Sequence, residues 1–437
     1  MTFLIILFAI ALQIFLTVKK VSPFLSLLIV SIIAGLLLGL TPQELLKSIE
    51  KGVGSTMGSV ALIICLGAIL GKILEVTGAI EKIATTLIKK FGEKNIQWAV
   101  LLAGFLIGIP LYYNAGFIIL VPLIFSLVRK TGLHLLYVVI PMAASLSTTH
   151  CFLPPHPAPA YLVNTFQANM GKTLLYGICV AVPAVIIAGP LLGKQLQRLK
   201  LQPIDFFLSS DVPVVKNSPR ALPSFLIALL PVMLITLSVL ADKYLQAGFL
   251  KDAIKFIGDS VIALLLSVIV ALTYFGNINK LKMEVQMKWL SDAISGIAMI
   301  LLIITAGGVF KQVLDDSGTG KKIAELSVQF NMPPLIFAWV VTALLRIMIG
   351  SATVAGITAA GIVLPLLAQH NVSPELMVLA VGAGSVFGSH INDSGFWMFK
   401  EFFKLSLKQT FLSWTVMETL ISILGLAGVL LLNMIIG

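Results

Sequence analysis

The chain has 437 residues, 58% of them hydrophobic and only 11% charged, with a mean hydropathy of +1.03. Soluble chains carry roughly a quarter charged residues, so composition excludes a soluble globular fold. The formal charge of +11 comes from short basic clusters set between apolar runs. That is the positive-inside pattern of a chain whose surroundings are the lipid bilayer. Without a basic stripe interleaved with aromatics, it argues against nucleic acid as a partner.

In chain order, the first apolar run, Phe3 to Val18, precedes Lys19 and Lys20. A cleaved signal has the reverse order, so this reads as a retained span with its N-terminus outside. With about 20 apolar residues per crossing, further spans are expected near 24–40, 53–75, 173–193, 223–241, 259–276, 290–312 and 409–435. Two more, at about 135–170 and 375–399, contain polar breaks. Two other segments, about 96–128 and 333–368, are too long for one span. Each has a glycine-containing interruption, GIPLYYNAG from Gly108 and RIMIGSATVAG from Arg346. They read as re-entrant hairpins, whose irregular backbone is tolerated only within protein or beside a cavity. With this arrangement nineteen Lys and Arg fall in cytoplasmic loops and nine outside. Counting either hairpin as a full crossing would spoil that bias. Cys65, Cys151 and Cys179 lie in apolar segments, with spacing for neither a disulfide framework nor a metal.

A shift of 240 residues aligns two pairs of blocks. LGAILGKILEVTGAIEKIA, ending at Ala84, overlays TAGGVFKQVLDDSGTGKKIA, ending at Ala324, while Ala143, Ser145 and His150 meet Ala383, Ser385 and His390. The expected fold class is therefore an all-α polytopic membrane protein of two repeats, each of about five transmembrane helices plus one re-entrant hairpin. An odd span number inverts the second repeat and leaves both termini external. The first repeat covers residues 1–194, a cytoplasmic linker 195–222 and the second repeat 223–437.

Secondary transporters built this way bind cargo where broken helices of the two repeats meet at mid-membrane. Four breaks supply the candidates here: Tyr113 and Asn114; Thr149, His150 and His156; Ser351 and Thr353; and Ser389, His390, Asn392 and Asp393. Helix N-termini at such breaks present free N–H groups and the positive dipole end to an anion. Hydroxyls and amides then suit a small, oxygen-rich organic anion. Asp393 is the leading proton-coupling candidate, because an ionisable residue inside a membrane is functional by default. His390 is the second, since histidine titrates near neutrality. The plainer readings are a helix cap for Asp393 and hydrogen-bonded structure for the histidines. Arg346 can snorkel outward or pair with a carboxylate; Glu418, in the last span, is either its partner or another proton site. No catalytic residue, cofactor or metal is expected. There is no phosphate loop of a primary pump and no HExxH or GxSxG motif of a membrane enzyme.

GIPLYYNAGF, the PPHP run after His150, GSATVAGITAAGIVLP and SHINDSGFWMFKEF closely resemble signatures of the gluconate permease family, within the ion transporter superfamily. The resemblance spans about Val53 to Trp414. It implies a proton-coupled importer of gluconate, or of a related sugar acid or small hydroxy or amino acid, in a bacterial inner membrane. The family's characteristic segments correspond to Asn114, His150, His156, Ser351, Thr353, His390, Asn392 and Asp393. Asn114 stands where the family pattern usually has Asp, and Ile349 where many relatives have Gln. The alternatives are another small carboxylate with different ion coupling, or a passive anion channel. A channel would need a continuous polar lining rather than four separate breaks. The sequence is compatible with a homo-oligomer.

Overall fold

The computed structural model describes residues 2–199, 201, 219–318, 332–369, 372–391 and 393–436. Most of the linker, Asn392 and the end of the second repeated block lie outside them. The described residues form helices and loops without a strand. In chain order the helices are α1 (Thr2–Val18), α2 (Pro23–Leu37), α3 (Pro42–Val76), α4 (Ala79–Phe91), α5 (Ile96–Gly108), α6 (Tyr113–Thr131), α7 (Leu135–Phe152), α8 (Pro157–Thr165) and α9 (Met170–Leu196). They continue as α10 (Ala221–Tyr244), α11 (Phe249–Ile257), α12 (Ser260–Asn279), α13 (Met283–Asp316), α14 (Pro334–Ile349), α15 (Ala352–Gln369), α16 (Pro374–Gly384), α17 (Ser394–Phe402) and α18 (Leu407–Ile436).

Local sequence sets the starts of many of these helices. Ser22, Asn169, Asp259 and Ser373 accept from backbone N–H groups of the first turn, and Thr41 with Glu44 and Ser406 with Gln409 form capping boxes. Proline occupies an early position of α2, α3, α8, α14 and α16, where its missing N–H does no harm. Among the described residues, six helical stretches are long and apolar enough to cross a membrane, and the bent α3 makes a seventh.

The longest helices, α3 and α13, are also the most extensively packed pair. Ser48 Oγ donates to Asp316 Oδ2 (2.7 Å) at one end of the contact, and Gly52 faces Gly308 and Val309 further along. Rising numbers on one helix meet falling numbers on the other, so the two run antiparallel. Glycine permits the approach: a methyl at Gly52 would lie 2.7 Å from Val309 Cα.

Each long apolar segment expected to break does so. Between α5 and α6 the helix stops over Ile109–Tyr112, and Gly350, in the left-handed region (φ +83°), separates α14 from α15. α7 ends at Phe152 and α8 starts after His156, while α16 ends at Gly384 and α17 starts after Asp393. Two stretches read as loops from sequence are helical, however. α4 buries Ile80, Ile83, Ala84 and Leu87 along one face, and α11 buries none of its residues and leaves Phe249, Leu250 and Phe256 exposed. Both are too short and too charged to register as spans. α7 is buried almost along its whole length and packs against α5, α6 and α9, which places the centre of the protein beside its C-terminal break.

Candidate functional site

Four helices begin around one cavity of about 260 Å³. Tyr113 and Asn114 belong to the first turn of α6, and Pro157 is the first residue of α8. Ala352, Thr353 and Val354 open α15, and Asp393 and Gly395 open α17. Each N-terminus carries an effective charge of roughly +0.5 and donors without intrahelical partners. Four of them at one cavity favour negative charge there.

Arg346 supplies a full positive charge. It sits one turn before the end of α14, with a side chain only 3% exposed. Its Nη2 donates to Asp393 Oδ2 (2.5 Å), while Nε and Nη1 are buried without partners. Asp393 is held from two further sides. Gly395 N donates to Oδ1 (2.8 Å), which makes Asp393 the cap of α17, and Ser389 Oγ donates to Oδ2. Ser389 in turn accepts from Trp414 Nε1 (2.8 Å), and its carbonyl accepts from Thr415 Oγ1 (2.6 Å). The α17 cap is thereby tied to α18.

The other walls divide into polar and apolar parts. Ser147, His150 and Cys151 come from α7, Tyr112 from the first break and Glu418 from α18. Ile300 and Ile303, one helical turn apart on α13, form an apolar side. Ser351 Oγ accepts from Val354 N (3.4 Å) at the start of α15. Several polar atoms here are buried without a partner, namely Tyr113 OH, His150 Nδ1 and Glu418 Oε1. Such groups are expensive unless something else hydrogen-bonds them.

Among the residues singled out from sequence, the structure therefore gathers Tyr113, Asn114, His150, Ser351, Thr353 and Asp393 at one cavity. Thr149 is turned into its own helix, donating to the carbonyls of Ser145 and Leu146 (both 3.0 Å). His156 stands behind His150, with ring centroids 5.0 Å apart, and its Nε2 donates to the Gly108 carbonyl (2.6 Å). Ser389 reaches the cavity only through Asp393. His390 Nδ1 donates to the Gly388 carbonyl (2.9 Å), and the residue does not line the cavity. Asn392 lies outside the described residues. Trp414, Ile300 and Ile303 were missed. No spacing rule connects α13 or α18 to the breaks, and an isoleucine pair in a span reads as ordinary lipid-facing or core surface.

The helical fold, its apolar spans and the anion-favouring cavity at its centre define a multi-pass membrane protein with an internal polar site. The family model described as GntP family permease matches residues 1–435. The chain belongs to that family, a family of permeases rather than enzymes. Among curated relatives, it is 48% identical to the "High-affinity gluconate transporter" of Escherichia coli, aligning over 95% of both chains. The "Gnt-II system L-idonate transporter" of the same organism is 44% identical, with 95% of each chain covered. The "Gluconate permease" of Bacillus subtilis is 43% identical over 95% of this chain and 96% of its own length. Among solved structures, the fold is similar to that titled "Crystal structure of the Alcanivorax borkumensis YdaH transporter reveals an unusual topology". The TM-score is 0.66 at 17% identity, over 97% of this chain and 98% of that one.

Proposed function

We propose that the protein is a secondary transporter that imports gluconate or a closely related sugar acid together with a proton, by alternating access, across a bacterial inner membrane. One observation carries this reading. A buried guanidinium with two unpartnered nitrogens, Nε and Nη1, belongs to the lining of a cavity onto which four helix N-termini open. A monoanionic carboxylate would accept a charge-assisted hydrogen bond from Arg346 Nη1, beside the Nη2 that Asp393 holds. Asn114, Ser147, His150, Ser351 and Thr353 then provide donors and acceptors for a chain of hydroxyls. The relatives named for gluconate and L-idonate support that class of cargo.

Two oppositely oriented repeats account for the mechanism. Shifted by 240 residues, α3 overlays α13, α5 and α6 overlay α14 and α15, and α7 overlays α16 and the break that follows it. The antiparallel packing of α3 on α13, and the recurrence of the α5–α7 contact between α14 and α16, support an inverted relationship. Rocking of one repeat against the other would expose the cavity to each side in turn.

The test is uptake of radiolabelled gluconate into proteoliposomes holding the purified protein. Saturable uptake that rises with an inward proton gradient, and that L-idonate inhibits but glucose does not, is the expected result. Equal inhibition by the neutral sugar would overturn the assignment of an anionic cargo.

A further inference from the structure

Among the described residues two carboxyl groups line the cavity, and their surroundings differ. Asp393 receives Arg346 Nη2, Ser389 Oγ and Gly395 N, so every donor it needs is in place and its charge is matched. Glu418 is only 1% exposed, forms no ion pair among the described residues and has Oε1 without a partner there. The titratable and charged groups facing it are Tyr113 from α6, His150 and Cys151 from α7, Arg346 from α14 and Asp393 at the start of α17. The Ser147 hydroxyl lies beside it. Helices α9 and α16, also packed on α18, bring no charged residue to the cavity among the described residues. Among the described residues, the cation within reach of Glu418 is Arg346, which Asp393 already holds.

We infer that Glu418 is the group that carries the coupled proton, with the Arg346–Asp393 pair kept charged as the anchor for the cargo. This rests on the sugar-acid reading above. Charge bookkeeping gives the coupling. With Glu418 ionised, the empty cavity holds one cation and two anions. A cargo carboxylate arriving at Arg346 would add a third negative charge in a site of low polarity. A proton on Glu418 removes that repulsion, so cargo and proton favour each other's binding by the same factor. The loaded and empty cavities then carry the same net charge, and one proton accompanies each monoanion. The proton comes from water on the outer side and leaves to water on the inner side. No covalent bond to the cargo forms or breaks.

The test compares full-length wild type with Glu418→Gln in proteoliposomes, and measures gluconate affinity of both proteins in detergent across about pH 6 to 8. For a single linked proton, wild-type affinity weakens by up to about tenfold per pH unit as pH rises. Glu418→Gln, a fixed mimic of the protonated group, should bind gluconate with affinity that varies less than about twofold over the same range. It should still perform gluconate counterflow but fail to accumulate gluconate against its gradient when the outside is acidified. Proton-driven accumulation by Glu418→Gln, or an undiminished pH slope, would overturn the assignment. If Glu418→Gln does not give folded protein, Glu418→Asp carries the test. It should keep the pH slope with a displaced midpoint, and an undisplaced midpoint would overturn the proposal. Wild type that shows no gluconate counterflow at any pH would instead defeat the sugar-acid reading itself.

Discussion

Arg346 and Asp393 form a buried ion pair and, in the proposed function, anchor the cargo, and mutation can separate the two. Arg346→Met leaves Asp393 almost buried, at 13% side-chain exposure, with only the Ser389 hydroxyl and Gly395 N–H as donors. Removing one member of a buried ion pair typically destabilises by about 3–5 kcal/mol. The single variant should therefore melt well below wild type in detergent. Arg346→Met combined with Asp393→Asn removes the stranded charge while keeping a side chain that can still cap α17, so most of the melting temperature should return. Binding should not. A charge-assisted hydrogen bond contributes about 1.5–3 kcal/mol, so losing the Arg346 contact to the cargo carboxylate weakens Kd by roughly 10- to 150-fold. Isothermal titration with gluconate at fixed pH, beside a melting curve of each variant, reads both quantities. A double variant that melts normally and binds gluconate like wild type would refute the anchor role of Arg346.

Gly52→Ala places a methyl against the Val309 backbone and should destabilise the protein by about 1–3 kcal/mol through overpacking, read as a lower melting temperature, without changing which sugar acids compete for uptake. His156→Phe leaves the Gly108 carbonyl without its donor, which costs about 1–3 kcal/mol of stability and shows in thermal denaturation more than in gluconate affinity. His150→Ala should do the reverse, weakening gluconate binding in titration while the melting curve moves less. Thr353→Ala, at the mouth of α15, should weaken gluconate by about 0.5–1.5 kcal/mol, roughly two- to tenfold, and its effect should shrink for a cargo lacking the contacted hydroxyl.

Much of this architecture was legible in the sequence because the bilayer narrows the options. Apolar length marks the spans, and a glycine or proline within an apolar run marks a break, so the stops at Ile109 and Gly350 fall inside the motifs that announced them. Asp393 could be read as a helix cap because it directly precedes the restarted helix. The short helices α4 and α11 were not legible. Their charges make them look like loops, although the apolar residues of α4 recur at helical spacing. Pairing within the site was also hidden. Arg346 and Asp393 are 47 positions apart on different helices, and nothing local favours Asp393 over Glu418 as the partner. Thr149 shows the opposite limit. A hydroxyl within a polar run looks available to a ligand, yet in a helix it satisfies itself on the carbonyl one turn back.

The central claim is that cargo and proton move together through this cavity. Its most direct measurement is simultaneous recording of internal pH and labelled gluconate in proteoliposomes with no initial proton gradient and an inward gluconate gradient. The account predicts that the lumen acidifies as gluconate enters, with one proton per gluconate, and that a protonophore abolishes the acidification but not the entry. Gluconate entry at the same rate with no change in internal pH would contradict it.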